Sequence, residues 1–130
     1  HEEFKKMAGK IVADQLEHST AGSVDTQYVV NGSAKAWMNF NGTGTIASRV
    51  SFSVSSATDN GTGDYTVTFS ANLSTSNFVA TASNGEGSTH GTRIMTINEQ
   101  TSSSQTIMSQ TTSSFDDTII VCFTVNGVLA

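Results

Sequence analysis

A repeated alternation of apolar and polar residues between positions 35 and 70 limits what this chain can fold into more than any other feature. The alternating segments, bounded by glycine-containing loops, are residues 36–40, 51–55 and 65–69. Alternation with a period of two is typical of antiparallel strands that bury one face. The connection 58–64 contains Asn60-Gly61, a dipeptide that readily takes positive φ. We therefore predict a β-hairpin between the second and third segments.

The pattern continues toward the C-terminus. Further strand-like segments lie at residues 78–82, 93–97, 106–109 and 118–125. Asn-Gly dipeptides mark turns or strand ends along the chain, because both residues tolerate left-handed φ. Short strands separated by such turns predict a mainly β protein, an antiparallel β-sandwich with a jelly-roll-like arrangement. The sequence shows no alternation of strands with helices, which argues against a nucleotide-binding α/β fold.

Residues 2–17 have a different period. Apolar residues recur there at steps of three and four, and the stripe comprises Phe4, Met7, Ala8, Ile11, Val12 and Leu16. This spacing predicts an N-terminal amphipathic helix. A single helix of this length is marginal in water, so it needs a partner, either the sheet or copies of itself. We divide the chain into a helix over residues 1–18, the end of a shaft or a plug, and a β-sandwich domain over residues 19–130.

Composition and charge exclude several classes of partner. The net charge of −5 argues against nucleic acid, which is bound through clustered Lys and Arg. No apolar run approaches the length of a membrane span, so we expect no membrane insertion. The single cysteine, Cys122, lies in an apolar run and is predicted to be a buried residue of a central strand. The sequence begins with His1 and not Met, and we expect it to be a piece of a longer protein.

Enzymatic motifs are missing from the sequence. It contains neither the Gly-x-Ser-x-Gly nucleophile elbow nor a phosphate-binding Gly-x-x-x-x-Gly-Lys loop. A glycoside hydrolase needs two carboxylates that face one substrate. Asp116 and Asp117 are adjacent, so in strand geometry they point to opposite faces. We predict a protein that is not an enzyme.

Aromatic residues allow a second interpretation, because Tyr28, Trp37 and Tyr65 would each be able to stack on a sugar ring. Trp37 has apolar neighbours near the start of the sheet, which favours a place in a core between sheets or between subunits. Tyr65 opens a strand after the hairpin and is expected to be half-buried.

Polar loops are the expected binding surface, because loops on a rigid scaffold commonly carry function. We place a receptor site in residues 84–92 and 100–104, or at 113–117. The side chains selected in these loops are Asn84, Glu86, Thr89, His90, Thr92, Asp116 and Asp117.

Two blocks of sequence resemble a known family. KAWMNFNGTGT, followed by SVSSATDNGTGDYTVTF, is similar to a module found near the C-termini of bacteriophage tail-fibre proteins, especially those of marine phages. The likeness extends over residues 25–80. It implies a receptor-binding tip domain in the virion, assembled as a homotrimer alongside other tail proteins. The implied function is non-enzymatic recognition of a bacterial cell-surface glycan or outer-membrane receptor.

Two alternatives remain open at this stage. One is a structural virion module, such as a head decoration or a fibre shaft, without receptor binding. The other is a monomeric carbohydrate-binding module unrelated to phages.

Metal sites are expected to be few. Asp59 and Asp64 bracket an oxygen-rich loop that would suit Ca²⁺, but Asp, Asn and Gly are also favoured in turns, and we prefer the turn. Tail-fibre tips as a class use axial histidines, usually in paired motifs that this chain lacks. His90 on a three-fold axis would supply three imidazoles to one metal ion per trimer. We prefer a solvated loop histidine to this axial metal site, and no other cofactor is expected.

Overall fold

The computed structural model describes residues 9–86 and 92–130. They fall into two compact units, one ending at Gly32 and the other comprising Ser33–Ala130. The chain is mainly β with antiparallel sheets and one short helix, as predicted. Within the described residues, no helix is both long enough and apolar enough to span a bilayer.

The N-terminal unit is a hairpin followed by a helix. Strands β1 (Gln15–His18) and β2 (Gly22–Asp25) pair antiparallel, and α1 spans Thr26–Gly32. The His18 imidazole closes the hairpin turn, because its Nδ1 accepts the backbone N–H of Thr20 at 3.3 Å and that of Ala21 at 3.1 Å.

The predicted position of the N-terminal helix is wrong where the structure can be compared with it. Residues 1–8 lie outside the described part, residues 9–14 are in neither helix nor strand, and Gln15–His18 is β1. Leu16 pairs with Val24 across the hairpin, and Gln15 Nε2 donates to Asp25 Oδ1 at 2.9 Å. These cross-strand contacts form at the end of the stripe, and a helix forms instead at α1, within the residues that were predicted to belong to the sandwich domain.

The C-terminal unit is a sandwich of two four-stranded antiparallel sheets. The first sheet has the order β4-β3-β10-β7, with β3 at Ala34–Asn41, β4 at Ala47–Phe52, β7 at Val79–Gly85 and β10 at Ile120–Asn126. The second has the order β5-β6-β9-β8, with β5 at Val54–Gly61, β6 at Asp64–Phe69, β8 at Ile94–Thr101 and β9 at Ser104–Gln110.

Alternating residues of the central strands form the core between the sheets. Its buried apolar residues are Ala36, Met38, Phe40, Tyr65, Val67, Phe69, Leu73, Ile107, Val121, Phe123 and Val125. Rings from the two sheets meet directly: Phe40 contacts Tyr65 edge-on at 5.4 Å, and Phe69 stacks on Phe123 at 6.3 Å. Burial of each large apolar side chain contributes about 1.5–3 kcal/mol, so this alternation is the main source of stability.

The predicted strand at residues 51–55 is divided between the sheets. Ser53 has a φ of 53°, and it separates Phe52, the last residue of β4, from Val54, the first of β5. The expectation that Phe52 and Val54 share one face is therefore wrong. The hairpin at 58–64 is confirmed as β5–β6, with Gly61 and Gly63 taking the positive φ values.

The two ends of the sandwich carry different loops and strand ends. We call the end at which β3 begins the proximal end, and the opposite end the distal end. At the proximal end, β3 begins and β10 ends, and Ala130 N–H donates to the carbonyl of Asn72 at 3.0 Å. The β8–β9 turn lies at this end too, where Phe69 N–H donates to Ser103 O at 2.8 Å. The distal end carries the β3–β4 connection, the β5–β6 turn, the end of β7, the start of β8, and residues 111–119.

Candidate functional site

The structure brings together most of the predicted loop residues that it describes. Glu86, Thr92 and Asp116 lie in distal connections, and Asp117 follows Asp116 directly. Thr89 and His90 lie outside the described residues, and so does the axial metal site predicted for His90. The predicted loop 100–104 is at the proximal end and does not belong to this cluster.

Arg93 connects the distal loops. Its Nη2 lies 2.7 Å from Asp116 Oδ2, and its Nε lies 3.1 Å from Glu86 Oε1. The second contact is an ion pair without hydrogen-bond geometry. The side chains of Arg93 and Glu86 are only 16% and 17% exposed, whereas that of Asp116 is 42% exposed. Residues from the β7–β8 and β9–β10 connections are therefore held by one guanidinium.

The adjacent carboxylates Asp116 and Asp117 point in different directions. Asp117 Oδ1 accepts the N–H of Gly63 at 2.8 Å and lies 3.1 Å from the Tyr65 hydroxyl. Asp116 instead pairs with Arg93. Asp117 therefore stabilises the fold, and of the two carboxylates only Asp116 is available at the distal surface.

Tyr65 is the anchor beneath these loops. Its hydroxyl lies 2.9 Å from the carbonyl oxygen of Gly42, to which it donates, and accepts the N–H of Thr118 at 3.4 Å. Tyr65 is fully buried, so the expectation of a half-buried residue is wrong. Desolvation raises the pKa of Tyr65, the N–H of Thr118 opposes this, and the charge of Asp117 adds to it. The phenol therefore stays neutral and keeps its proton for hydrogen bonding.

Thr118 completes the anchor. Its hydroxyl donates to Gly85 O at 3.0 Å, and its carbonyl accepts the N–H of Gly42 at 2.9 Å. Three connections and the end of β7 thus meet at one buried polar cluster. Sequence reasoning did not identify Arg93 or Thr118, because each occurs at the edge of a strand-like segment with no motif around it.

Asn84 is placed differently from the prediction. It lies in β7 on the side that carries Ala80 and Ala82, and its Nδ2 is buried with no hydrogen-bond partner among the described residues. Its side chain is half-buried and does not stand at a loop tip.

The acidic hairpin loop has the bonds of a turn. Asp59 Oδ1 accepts the N–H of Gly61 at 3.0 Å, and Asn60 Nδ2 donates to Asp64 Oδ1 at 3.2 Å. In residues 9–86 and 92–130, no three side chains of His, Cys, Asp or Glu come together as a metal-binding group.

The outer face of the first sheet holds a second cluster. Trp37 is 37% exposed and stacks on Phe52, which is 54% exposed, with the ring centroids 6.0 Å apart. Of the two places predicted for Trp37, the core between the sheets is therefore wrong, and the core between subunits stays a prediction. Cys122 is in a central strand as predicted, but it is half-buried, because β10 turns Val121 and Phe123 inward and Cys122 outward.

Comparison of the chain with protein-family models, curated proteins and solved structures found no match.

Proposed function

We propose that this chain is a non-enzymatic virion protein, a trimeric tail-fibre tip domain that binds a bacterial surface glycan or outer-membrane receptor through its distal end. The observation that carries the proposal is the gathering of polar loops around Arg93 at the end opposite Ser33. A tip domain must present its receptor surface away from the point where the chain enters it. The resemblance of residues 25–80 to tail-fibre modules supports the same assignment.

The distal loops have a rigid base and a polar surface. The buried Tyr65 cluster fixes the connections from below, and the Arg93 ion pairs hold them together near the surface. Exposed polar groups on such a scaffold bind with a small loss of conformational entropy. Asp116 and Thr92 are the described side chains exposed there, and Glu86 is largely buried against Arg93.

The N-terminal unit supports assembly into a trimer. The large apolar side chains described in it, from residue 9 onward, are all at least 41% exposed: Ile11, Val12, Leu16, Val24, Tyr28, Val29 and Val30. Apolar side chains concentrated on so small a unit favour association with further copies. Three copies would multiply weak contacts of the distal ends through avidity.

Binding of fluorescently labelled protein to cells of a panel of marine bacteria tests the proposal. The variant Thr92→Arg places a bulky charge on the distal surface, and Asn72→Arg does the same at the proximal end, where Asn72 is also exposed. We expect the wild type and Asn72→Arg to bind at least one strain, and Thr92→Arg to lose at least ten-fold in affinity.

Light scattering of the same samples gives the assembly state. A mass of three chains agrees with the proposal, and a monomer contradicts it. A trimer that binds no strain would instead favour the structural virion role. Equal binding by both variants would overturn the assignment of the receptor surface to the distal end.

A further inference from the structure

The outer face of the first sheet carries a depression that the distal-end function does not use. It has a volume of about 450 Å³ and lies across β3, β10 and β7. Small-molecule sites have volumes of about 300–1,000 Å³, so a mono- or disaccharide is of the right size. The outward-facing lining residues are Trp37, Asn39, Thr81, Ser83, Cys122 and Thr124.

Strand register orders these side chains into two rows. In the first row, Phe52 of β4 lies opposite Trp37 of β3, followed by Thr124 of β10 and Thr81 of β7. In the second row, Asn39 lies opposite Cys122, and Cys122 opposite Ser83. The two aromatic rings on β4 and β3 therefore lie beside hydroxyl-bearing side chains on β10 and β7.

The two aromatic rings form a nearly continuous apolar surface. The Trp37 and Phe52 rings are inclined by only 22° to each other, and both are open to solvent. A pyranose ring has an apolar C–H face and a rim of hydroxyls. The C–H face would lie on the Trp37 ring, which Phe52 holds in place by stacking against it from β4 and which offers a large apolar area at low conformational cost.

The polar groups beside the rings keep part of their hydrogen-bonding capacity unused. Arg49 Nη1 donates to Asn39 Oδ1 at 3.2 Å, which fixes the amide and leaves its Nδ2 as a donor. Among the described residues, neither this Nδ2 nor the hydroxyls of Thr81, Ser83 and Thr124 have a side-chain hydrogen-bond partner. None of the side chains that line the depression is charged.

The outer face of the second sheet provides a contrast. Some of its hydroxyls bond to each other, as with Thr66 Oγ1 and Thr106 Oγ1 at 3.1 Å, and no ring pair lies there in the described residues. The first sheet alone combines stacked rings with unused donors and acceptors.

We propose that this depression is a binding site for a neutral hexopyranose unit, stacked on Trp37 and hydrogen-bonded by Asn39 and the neighbouring hydroxyls, with Phe52 supporting the Trp37 ring from the β4 side. A second copy of the chain is a poorer occupant, because a protein surface would have to match every one of these polar groups. Each buried group left unmatched would cost about 1–3 kcal/mol. A sugar supplies hydroxyls at several positions around one ring. The site does not depend on the distal-end function.

The chain carries two reporters inside the site. Trp37 is the only tryptophan and Cys122 the only cysteine of the sequence. Titration with neutral oligosaccharides ending in glucose, galactose, mannose or N-acetylglucosamine is expected to change Trp37 emission for at least one sugar. The same sugar is expected to slow the reaction of Cys122 with a maleimide.

Variants distinguish this site from other surfaces. We expect Asn39→Ala, which removes a hydrogen bond, and Phe52→Ala, which removes the ring that holds Trp37 in place, each to weaken sugar binding at least about ten-fold, the factor that corresponds to about 1.4 kcal/mol. The controls Thr106→Ala, on the second sheet, and Thr92→Arg, at the distal end, are expected to leave it unchanged. Circular dichroism verifies that each variant is folded.

The proposal is overturned if no sugar changes either reporter, or if folded Asn39→Ala and Phe52→Ala bind as the wild type does. It is also overturned if Trp37 emission changes with protein concentration alone, because a second copy then covers the face. Loss of cell binding by Thr92→Arg with unchanged sugar binding would separate the two sites.

Discussion

At the residue scale, the Tyr65 hydroxyl lies within hydrogen-bonding distance of an unusual number of groups. Gly42, Asp117 and Thr118 all reach it, although they come from different parts of the chain. A Cβ on Gly42 would lie 2.5 Å from this hydroxyl, so only glycine permits the approach. The distal loops therefore depend on one buried phenol, whereas sequence alternation marks Tyr65 only as an inward-facing strand residue.

Removal of this hydroxyl is expected to destabilise the protein. Tyr65→Phe leaves Gly42 O without its donor and the N–H of Thr118 without its acceptor, at a cost of about 1–3 kcal/mol in the free energy of unfolding. Ser109→Ala is the matched control: it also removes a fully buried hydroxyl, but Ser109 Oγ has no hydrogen-bond partner among the described residues. We expect that variant to be neutral or slightly stabilising. Urea unfolding measures both, and an equal loss for the two variants would contradict this account.

Alkaline pH gives an independent test of Tyr65. Its pKa is raised by burial above the ordinary value of 10.0, so the unfolded chain loses the phenol proton at a lower pH than the folded protein does. The associated stability is complete below pH 10 and falls above it, by up to about 1.4 kcal/mol per pH unit. Urea unfolding between pH 8 and 11 should show this slope, and Tyr65→Phe should lack it. Parallel pH profiles for the two proteins would argue against it.

At the scale of elements, alternation in the sequence predicts the strands well where only one face is apolar. β6 follows its pattern, because its inward residues are large and apolar and its outward ones polar, whereas β9 also buries the polar Gln105 and Ser109. The sequence did not reveal that Trp37 lies outside the core between the sheets, since an exposed tryptophan and a core tryptophan look alike in sequence. The helix predicted from the N-terminal stripe was wrong in the described residues because the spacing of apolar residues does not include the cross-strand contacts of the β1–β2 hairpin. Arg93 could not be foreseen, because its partners come from separate loops.

The β5–β6 turn offers a prediction at this scale. Gly63 has a φ of 65°, and a Cβ there would collide with the Ser109 carbonyl oxygen and approach the backbone of Asp116 at 2.9 Å. Gly44 has a similar φ of 59°, yet a Cβ would meet nothing within 4 Å. We expect Gly44→Ala to cost about 1–2 kcal/mol from backbone strain alone. Gly63→Ala should cost about 1–3 kcal/mol more through overpacking, as measured by thermal unfolding. Similar losses for both would mean that the close approach is unimportant.

At the scale of the whole molecule, the two compact units contribute differently to stability. Every buried apolar residue identified in the described part lies between Ala36 and Val125, inside the C-terminal unit. The N-terminal unit contains mainly exposed apolar side chains. Sequence composition anticipates the sandwich and its single core, but it does not separate a unit that folds around a core from one that needs partners.

A protein consisting only of Ser33–Ala130 is therefore expected to fold. Its circular dichroism should keep the β signal, and its thermal midpoint should fall by no more than a few degrees, because the core is intact. If the N-terminal unit mediates trimer formation, light scattering should give three chains for the full sequence and one for the shortened protein. An unfolded fragment would contradict the independence of the sandwich. A trimeric fragment would place the assembly surface in the sandwich itself.

The placement of Ser33 at the proximal end has a mechanical consequence. Tension between a receptor held by the distal loops and the chain at Ser33 would run along β3, parallel to the strand. The bonds of β3 to β4 and β10 lie across that direction, so they would be loaded in shear and share the force. Pulling Ser33 away from Ala130 would instead peel β3 from β10 one bond at a time. In a pulling experiment, the sandwich should therefore resist a force applied between its two ends far longer than the same force applied between its termini.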